Sequence, residues 1–274
     1  MKIMDKEDLA KEITKIIVEA PVIAQKAKAG QFVVLVVDEK GERIPLTLAD
    51  WDREKGTITL IFQKVGFSTK KLGMLSPGDN IEHILGPLGH PTEVENTGTV
   101  VCIGGGIGIA EVYPVSRAFK EAGNRIMGII GARSKDLLIL EDKMQKVCDE
   151  LFITTDDGSY GQKGFVTDIL KNILNGQTDK RTNEQTNLVY AIGPVPMMKA
   201  VSELTRNYGI KTIVSLNPIM VDATGMCGSC RCTVAGKSVF GCVDGPDFDA
   251  HQVDFEELAK RLKLFKNQEE NLKN

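Results

Sequence analysis

The residues best suited to redox chemistry lie near the C-terminal end of the chain. Four of the six cysteines fall within segment 227–242, and counting from Asp222 gives the spacing D-x4-C-x2-C-x11-C. Small residues around the first part of this spacing would let backbone amides approach bridging sulfides closely. Thiolates are the usual ligands of iron–sulfur clusters. The spacing therefore predicts a [2Fe–2S] cluster held by Cys227, Cys230, Cys242 and a fourth ligand.

The identity of the fourth ligand is left open by the spacing. Side chains alternate along a strand, so Cys232 would face the same side as Cys230 and rivals Asp222. Zinc is a competing metal, but it is typically held by two C-x2-C pairs, and the segment contains only one. Four reduced thiols without a metal are the remaining alternative. A hairpin of 231–234 and 238–241 would carry Cys242 back to the first pair.

A second candidate site is a glycine-rich loop. The apolar segment 99–103 runs into Gly104-Gly105-Gly106-Ile107-Gly108, and a helical pattern follows to Lys120. Glycines let the backbone approach a ligand, and a helix N-terminus favours anions, so the loop predicts phosphate binding. It differs from G-x-G-x-x-G, and a tight structural turn is the alternative. Glu111 in the first turn would oppose a phosphate.

Two polar segments in the first hundred residues could bind a flavin nucleotide. In Arg43-Ile44-Pro45-Leu46-Thr47, the arginine could hold a pyrophosphate and the hydroxyl could meet the edge of a flavin ring. The segment 66–71 combines a turn of backbone amides with hydroxyls and two lysines, which predicts a second phosphate contact. A surface strand and a solvated turn are the respective alternatives.

These motifs require three regions to position them. Residues 1–98 carry short apolar stretches separated by glycines, which predicts an antiparallel β-barrel or sandwich. Residues 99–213 alternate strands and helices, which predicts a Rossmann-like parallel α/β domain. Residues 214–274 hold the cysteines and a helix over 254–265, capped by Asp254. The polar segment 175–187 is predicted to be a surface insertion.

Composition excludes several classes of partner. A net charge of -3 and a pI near 5.8 argue against nucleic acid. No apolar run approaches the roughly 20 residues of a membrane span, and the charged N-terminus does not resemble a signal peptide. Crowded cysteines then indicate metal binding in a cytoplasmic protein, whereas Cys102 and Cys148 are predicted to be buried.

Along the chain, the β region with its two flavin segments, the glycine loop and the segment Gly193-Pro194 follow one another as in the ferredoxin–NADP reductase superfamily, which the chain resembles. The resemblance implies FAD contacts at Arg43, Pro45, Leu46 and Thr47, and at Gly66, Ser68 and Thr69. It implies nicotinamide-nucleotide contacts at Gly104, Gly105, Gly106, Gly108, Gly193 and Pro194. Arg133 could receive the 2′-phosphate of NADP(H), whereas Asp157 could hold the ribose diol of NAD(H). The residues leave this choice open, and the resemblance favours NADH.

The cysteine region narrows the resemblance to the branch with the dihydroorotate dehydrogenase electron-transfer subunit, whose pattern begins with a cysteine. In this chain Asp222 stands at that position. The resulting pattern of one aspartate and three cysteines is similar to that of the small subunits of NADH-dependent reduced ferredoxin:NADP oxidoreductase. The segments 104–114, 131–135 and 244–249 are similar to the same subunits. The resemblance therefore selects Asp222 as fourth ligand. A glutamate at the position of Glu111 also fits these subunits, so its charge no longer argues against nucleotide binding. The resemblance makes Thr47 and Glu111 the catalytic candidates.

The resemblance implies a heterodimer with a larger subunit that carries FAD and [4Fe–4S] clusters and is related to the glutamate synthase small chain. Within it, electrons from NAD(P)H would be bifurcated between the [2Fe–2S] cluster and ferredoxin. The alternatives are a dihydroorotate dehydrogenase electron-transfer subunit and a hydrogenase-associated flavin subunit. A redox-sensing module that binds cluster and nucleotide without turnover is the non-enzymatic alternative.

Overall fold

The computed structural model describes residues 1–176 and 185–264, which divide into two compact units. The first unit contains Met1–Thr92, Asn217–Pro246 and, from Asp254 onwards, the described residues up to Leu264. The second contains Glu93–Leu216 and Asp247–Val253. Within the described ranges, every helix is too short or too polar to cross a bilayer.

The N-terminal part of the first unit is an antiparallel barrel, as predicted. Its six strands have the order β1-β2-β5-β4-β3-β6, and a bridge between Lys2 and Asn80 links the two ends of the sheet. The elements are β1 (Ile3–Ala10), β2 (Ile13–Glu19), α1 (Pro21–Lys26), β3 (Phe32–Val36), β4 (Arg43–Asp52), β5 (Thr57–Gln63), α2 (Phe67–Met74) and β6 (His83–Leu88).

Strand β3 is apolar along its whole length because both of its faces are covered. Val33 and Leu35 point into the barrel core, whereas Phe32 and Val34 pack in a separate cluster on the outer face. This arrangement follows from the alternation of side chains along a strand. A strand that is apolar without alternation is typical of burial on both faces.

The second unit contains the predicted parallel sheet, with the order β10-β9-β8-β7-β11-β12 and one further short strand beside β12. The central strand β7 is buried throughout. The elements are β7 (Thr99–Gly105), α3 (Gly108–Glu121), β8 (Arg125–Ala132), α4 (Glu141–Val147), β9 (Glu150–Thr155), β10 (Gln162–Lys163), α5 (Val166–Leu174), β11 (Thr186–Ile192), α6 (Val195–Arg206) and β12 (Lys211–Ser215).

The C-terminal region contributes to both units. The elements are β13 (Arg231–Val234), β14 (Lys237–Phe240), β15 (Asp247–Asp249) and α7 (Phe255–Arg261). The first two form the predicted hairpin. Strand β15 pairs antiparallel with β12 and was not predicted, because three residues with two aspartates show no strand pattern. Part of the predicted insertion, 177–184, and Phe265 at the end of the predicted helix lie outside the described residues.

Two local predictions are resolved by hydrogen bonds. Asp254 caps α7 as expected, since its Oδ1 accepts the backbone N–H of Glu257 at 2.8 Å. The segment 66–71 is not the predicted turn but the beginning of α2. There the hydroxyl of Thr69 accepts the backbone N–H of Gly66 at 3.0 Å and donates to the carbonyl of Gly66 at 3.1 Å. These two hydrogen bonds tie the residue before the helix to its first turn.

Candidate cofactor sites

Cys230 and Cys242 lie side by side on the outer face of the barrel. Their Sγ atoms are 3.2 Å apart, and both residues are buried. The β13–β14 hairpin brings them together, since the backbone N–H of Gly241 donates to the carbonyl of Cys230 at 3.0 Å. Phe32, Val34 and Ala223 complete this buried cluster. The predicted return of Cys242 on a hairpin arm is confirmed.

Asp222 and Cys227 lie in the exposed loop that precedes this pair. The two carboxylate oxygens of Asp222 each accept a backbone N–H at 2.9 Å, one from Thr224 and the other from Cys227. The side chain of Ser229 contacts the Sγ of Cys227 at 3.1 Å and accepts the backbone N–H of Val221 at the same distance. The loop is thus folded upon itself by polar side chains at both ends.

The electrostatics of these groups differ sharply. The pKa of Asp222 is lowered, chiefly because Thr224 donates a backbone N–H to its carboxylate, and Arg43 adds a smaller attraction. The neighbouring Ser229 hydroxyl lowers the pKa of the Cys227 thiol. Burial raises the pKa of the Cys242 thiol to about 12. The loop therefore favours anionic groups at its exposed end, whereas the buried thiol of Cys242 needs a positive partner to ionise.

Cys232 is placed differently from the other three cysteines of the segment. Its Sγ donates to the carbonyl of Cys230 at 3.5 Å, and the charges of Glu257 and Arg261 on α7 act on it. Burial raises its pKa to about 12. It does not belong to the group that Phe32 and Val34 form with the thiols of Cys230 and Cys242.

The donor set fits an iron–sulfur cluster better than a single ion. Across residues 1–176 and 185–264, no three His, Cys, Asp or Glu side chains converge so that they could hold one metal ion. The four predicted ligands nevertheless come from one short stretch, and two of the thiols are already adjacent. Cysteine thiolates are the usual ligands of iron–sulfur clusters, and an apolar surrounding such as the one beneath Cys230 and Cys242 limits solvent access to a cluster.

The predicted FAD strand presents its polar side chains on the face that also carries the thiols. In the β3–β4 ladder, Phe32 pairs with Thr47, Val34 with Pro45 and Val36 with Arg43. Residues directly opposite in an antiparallel pair point to the same face. Arg43, Pro45 and Thr47 therefore share the outer face with Phe32 and Val34.

Leu46 lies on the opposite face of β4. Its side chain packs against the barrel core together with that of Ile44. A contact between Leu46 and a flavin would therefore involve its backbone.

The second predicted FAD segment lies at the N-terminus of α2. Gly66 precedes the helix, and the buried Ser68 and the hydroxyl of Thr69 lie in its first turn. The backbone N–H groups of a first helical turn have no partner within the helix and attract anions. At the other end of α2, Lys6 donates to the carbonyls of Gly73 at 2.5 Å and Leu75 at 2.8 Å, which complements the negative end of the helix.

In the second unit, the predicted nucleotide residues gather at the carboxyl edge of the parallel sheet. Strand β7 leads through α3 to β8 on one side, whereas its other neighbour is β11. Such a reversal of strand order is where open α/β sheets bind ligands. The loop 104–108 follows β7, and Gly193-Pro194 follows β11 directly beside it, since Ile192 pairs with Gly104.

The glycines of this edge are required by close packing. A Cβ on Gly108 would lie 2.4 Å from the carbonyl oxygen of Ile192. One on Gly104 would lie 2.9 Å from the Cα of Ile109. The N-terminus of α3 therefore packs directly against the end of β11, and its backbone amides stay close to the gap between the strands. Gly106 has a φ of 57° and open space around it.

The remaining candidates lie at the same edge. Arg133 is exposed after β8, and Asp157 follows β9, the next strand of the sheet. The carboxylate of Asp157 accepts the hydroxyl of Ser159 at 2.6 Å and its backbone N–H at 2.9 Å, and the hydroxyl above all lowers its pKa. Glu111 is half-buried in the first turn of α3.

Comparison with protein families matches two parts of the chain. The iron-sulfur cluster binding domain of dihydroorotate dehydrogenase B matches residues 217–254. The oxidoreductase NAD-binding domain matches residues 102–203. A dihydroorotate dehydrogenase B (NAD(+)) electron transfer subunit homolog of Thermotoga maritima is 45% identical, over 98% of this chain and 92% of its own. The chain belongs to the family of these electron-transfer subunits and their homologues.

Two further relatives support this membership. The dihydroorotate dehydrogenase B (NAD(+)) electron transfer subunit of Fusobacterium nucleatum is 32% identical, over 90% of this chain and 95% of its own. A solved structure of NADH-dependent reduced ferredoxin-NADP oxidoreductase, determined to study flavin-based electron bifurcation, is 44% identical. It covers 98% of this chain and 95% of that one, with a TM-score of 0.91. The resemblance to the ferredoxin–NADP reductase superfamily, with an iron–sulfur region and a NAD-binding domain, is confirmed.

Sequence reasoning missed two residues that the structure draws into the cysteine loop. Ser229 bonds both ends of the loop, and Arg261 donates to its carbonyl from α7 at 3.2 Å. The position of Ser229 inside the C-x2-C pair was a signal for the first. No local pattern pointed to Arg261, because it lies far from the loop in sequence.

Proposed function

We propose that this chain is the small, electron-transferring subunit of a bifurcating NADH-dependent reduced ferredoxin:NADP oxidoreductase. One observation carries the proposal: the predicted FAD strand and two of the predicted cluster ligands, Cys230 and Cys242, occupy one face of one packed unit. The match to the solved bifurcating enzyme supports the choice within the family. The chain would act in the cytoplasm as an oxidoreductase subunit.

Packing on that face gives a short route between the two groups. The thiols of Cys230 and Cys242 rest on Phe32 and Val34, and the strand that holds these two side chains pairs with Pro45 and Thr47. A flavin bound at β4 and a cluster bound by the loop would thus be neighbours on a rigid sheet. Arg43 is close enough to Asp222 to lower the pKa of its carboxyl.

The proposed FAD-binding residues of this unit have separate roles. A flavin accepts electrons in pairs and releases them singly, whereas an iron–sulfur cluster carries one at a time. Arg43 and the first turn of α2 at Gly66, Ser68 and Thr69 would bind the FAD phosphates. Thr47 would orient the ring by a hydrogen bond, and Pro45 would support it on the outer face of β4.

For the cluster, we propose Asp222, Cys227, Cys230 and Cys242 as the ligands. Asp222 is preferred to Cys232 because its ionised carboxylate lies within the loop and touches the backbone of Cys227. Cys232 instead contacts the backbone of Cys230 and the charges of α7. Asp222 is also the residue at the first position of the spacing D-x4-C-x2-C-x11-C.

In the second unit, we propose that Gly104, Gly105, Gly106 and Gly108, with Gly193 and Pro194, bind the nicotinamide nucleotide. Backbone amides at the start of α3 would face its phosphates. Glu111 would act from the first turn of α3 as a catalytic residue beside the nicotinamide. Arg133 and Asp157 would read the ribose, and we propose NADH as the nucleotide bound here.

Homologues of this chain are subunits of larger complexes, which implies a partner. We propose a larger subunit that contains FAD and [4Fe–4S] clusters, is related to the glutamate synthase small chain, and passes electrons to ferredoxin. The cofactor regions would then be 1–98 for FAD, 99–213 for the nucleotide and 214–274 for the cluster.

Purification of the chain with its native partner, under anaerobic conditions, tests the proposal. We expect the EPR spectrum of the reduced complex to contain a [2Fe–2S] signal besides those of the partner's [4Fe–4S] clusters, and NADH to support reduction of an artificial dye. With both pyridine nucleotides and ferredoxin present, reduction of ferredoxin should depend on both. A purified chain with neither flavin absorbance nor dye reduction would refute the enzymatic function and favour a redox sensor.

The ligand assignment has its own test. Replacing a carboxylate by a thiolate changes the charge that the ligand donates to the cluster, so Asp222→Cys should shift the midpoint potential. Redox titration followed by EPR would measure the shift, with Cys232→Ser as the matched control. Equal midpoints for wild type and Asp222→Cys would contradict ligation by Asp222.

A dihydroorotate dehydrogenase subunit is the second candidate, because several relatives carry that name. The two functions differ in the partner. NADH-dependent reduction of orotate by the purified complex, without a requirement for ferredoxin, would establish the second function and exclude the first.

A further inference from the structure

We infer that Arg261, at the end of α7, is a positioning residue for the cluster: it holds the C-x2-C loop and supplies a fixed positive charge that favours the reduced cluster. This inference rests on the proposed function, because it presumes that the loop binds a cluster. It goes beyond the ligand set to a residue outside the segment that matches the iron–sulfur domain.

Helix α7 is fastened to the hairpin that carries the thiols. The backbone N–H of Asp254 donates to the carbonyl of Thr233 on β13 at 2.9 Å. Asp254 also caps the helix, and Phe255 and Leu258 are buried. These contacts fix the start of α7 and orient its first turns. Its last residue, Arg261, is therefore placed by the helix and not by a flexible arm.

The guanidinium of Arg261 is directed at the cysteine loop. Its Nη2 donates to the carbonyl of Ser229 at 3.2 Å. Its Nε is buried, and none of the residues in 1–176 and 185–264 accepts a hydrogen bond from it. A buried donor without an acceptor is costly, so it is retained where its charge or position has a use.

Ser229 connects this contact to the proposed ligand Cys227 and to the residue that precedes Asp222. Its hydroxyl contacts the Sγ of Cys227 at 3.1 Å, and it accepts the backbone N–H of Val221, the neighbour of Asp222. Arg261 therefore holds the residue that ties both ends of the loop. Hydrogen bonds to the ligands of a metal group and to their neighbours orient these ligands and affect the affinity for the metal.

The charge of Arg261 acts in the same place. An arginine stays protonated at every physiological pH, and the interaction of its charge with neighbours is strong where water is partly excluded. The guanidinium contacts the carbonyl of Ser229, which lies between the proposed ligands Cys227 and Cys230 in the chain. A cluster with three thiolates and a carboxylate is anionic and becomes more so on reduction, so a nearby cation stabilises the reduced form.

Two variants separate position from charge, and a third provides the control. Arg261→Gln removes the charge, Arg261→Lys keeps it but loses the planar fork, and Lys260→Gln removes the charge of the adjacent exposed lysine of α7. Each is made in the full chain with its partner. The readouts are the midpoint potential of the [2Fe–2S] EPR signal and the rate at which this cluster loses iron to a chelator, followed by the decay of the same signal.

We expect Arg261→Gln to shift the midpoint downwards and to lose iron several-fold faster than wild type. Arg261→Lys should keep the midpoint and lose iron at an intermediate rate, whereas Lys260→Gln should match wild type in both. If Arg261→Gln equals Lys260→Gln in both readouts, the inference is wrong. Should Arg261→Gln fail to fold, an iron-loss rate of Arg261→Lys equal to the control overturns it. A wild-type chain without cluster signal refutes the proposed function instead.

Discussion

At the carboxyl edge of the parallel sheet the proposed phosphate-binding groups are backbone atoms, whereas in the cysteine loop the proposed cluster ligands are side chains. The loop after β7 packs so closely on the end of β11 that Gly108 has no room for a Cβ. In the cysteine loop, Asp222 and Cys227 are at least partly exposed, and hydrogen bonds from Thr224 and Ser229 hold them.

The two regions differ in whether the residues that bind the cofactor also pack the fold. At the sheet edge, the shape that binds a phosphate is also the shape that packs the domain, so a substitution there costs stability. In the cysteine loop, a ligand can be replaced while the barrel beneath it keeps its own core. Mutations at the sheet edge should thus lower the stability of the fold, whereas mutations in the cysteine loop should lower the cofactor content.

The largest effect is expected for Cys242→Ser. Loss of a thiolate ligand should abolish the cluster, because a serine hydroxyl is a much weaker donor to iron. The chain should still fold, since the substitution leaves the barrel core untouched. Visible absorption and iron content measure the outcome. Cys232→Ser is the matched control and should keep the cluster. Loss of the cluster in both variants would instead identify Cys232 as a ligand.

The next effect is expected at the sheet edge. Gly108→Ala places a Cβ against the Ile192 carbonyl and should lower the free energy of unfolding by about 3 kcal/mol, the upper end for overpacking. Gly106→Ala meets open space and should cost roughly 1 kcal/mol for the left-handed backbone. Thermal unfolding of both variants gives the comparison.

The cofactor content completes this second comparison. Neither glycine variant should change the iron content, because both lie in the unit without cysteine ligands. Equal unfolding temperatures for the two variants would show that packing at Gly108 is looser than the structure indicates.

The smallest effect is expected at the cap of α7. Asp254→Ala removes the hydrogen bond to Glu257 and should destabilise the helix by about 1 kcal/mol. Asp254→Asn can still accept this bond and is the control. Hydrogen exchange of the amides in 255–261 measures the change locally. Faster exchange in the Asn variant than in the Ala variant would contradict the capping role.

Local patterns were sufficient to predict much of the molecule. The glycine-separated apolar stretches predicted the barrel, and the change to alternating strands and helices at Thr99 predicted the parallel sheet. Asp254 with Glu257 predicted the start of α7. In each case the signal lies within a few residues, because it depends on backbone preferences and on the period of burial.

Features that depend on contacts between distant segments were not predicted. Packing of Cys230 and Cys242 on Phe32 and Val34 depends on which face of β3 the hairpin covers. Strand β15 exists because β12 offers it an edge, and Arg261 reaches Ser229 only after α7 has docked. The choice between Asp222 and Cys232 came from resemblance, since the spacing permits both.

The route of the chain through the two units has a genetic consequence. The chain leaves the barrel unit after Thr92, returns at Asn217, leaves again for Asp247–Val253 and returns once more. Neither unit can therefore be encoded by a single uninterrupted stretch of the gene. A deletion that removes residues after Leu216 would strip β15 from the sheet as well as the cysteine hairpin from the barrel. The cysteine region should thus behave in evolution as an inseparable part of the whole and not as a transferable cassette.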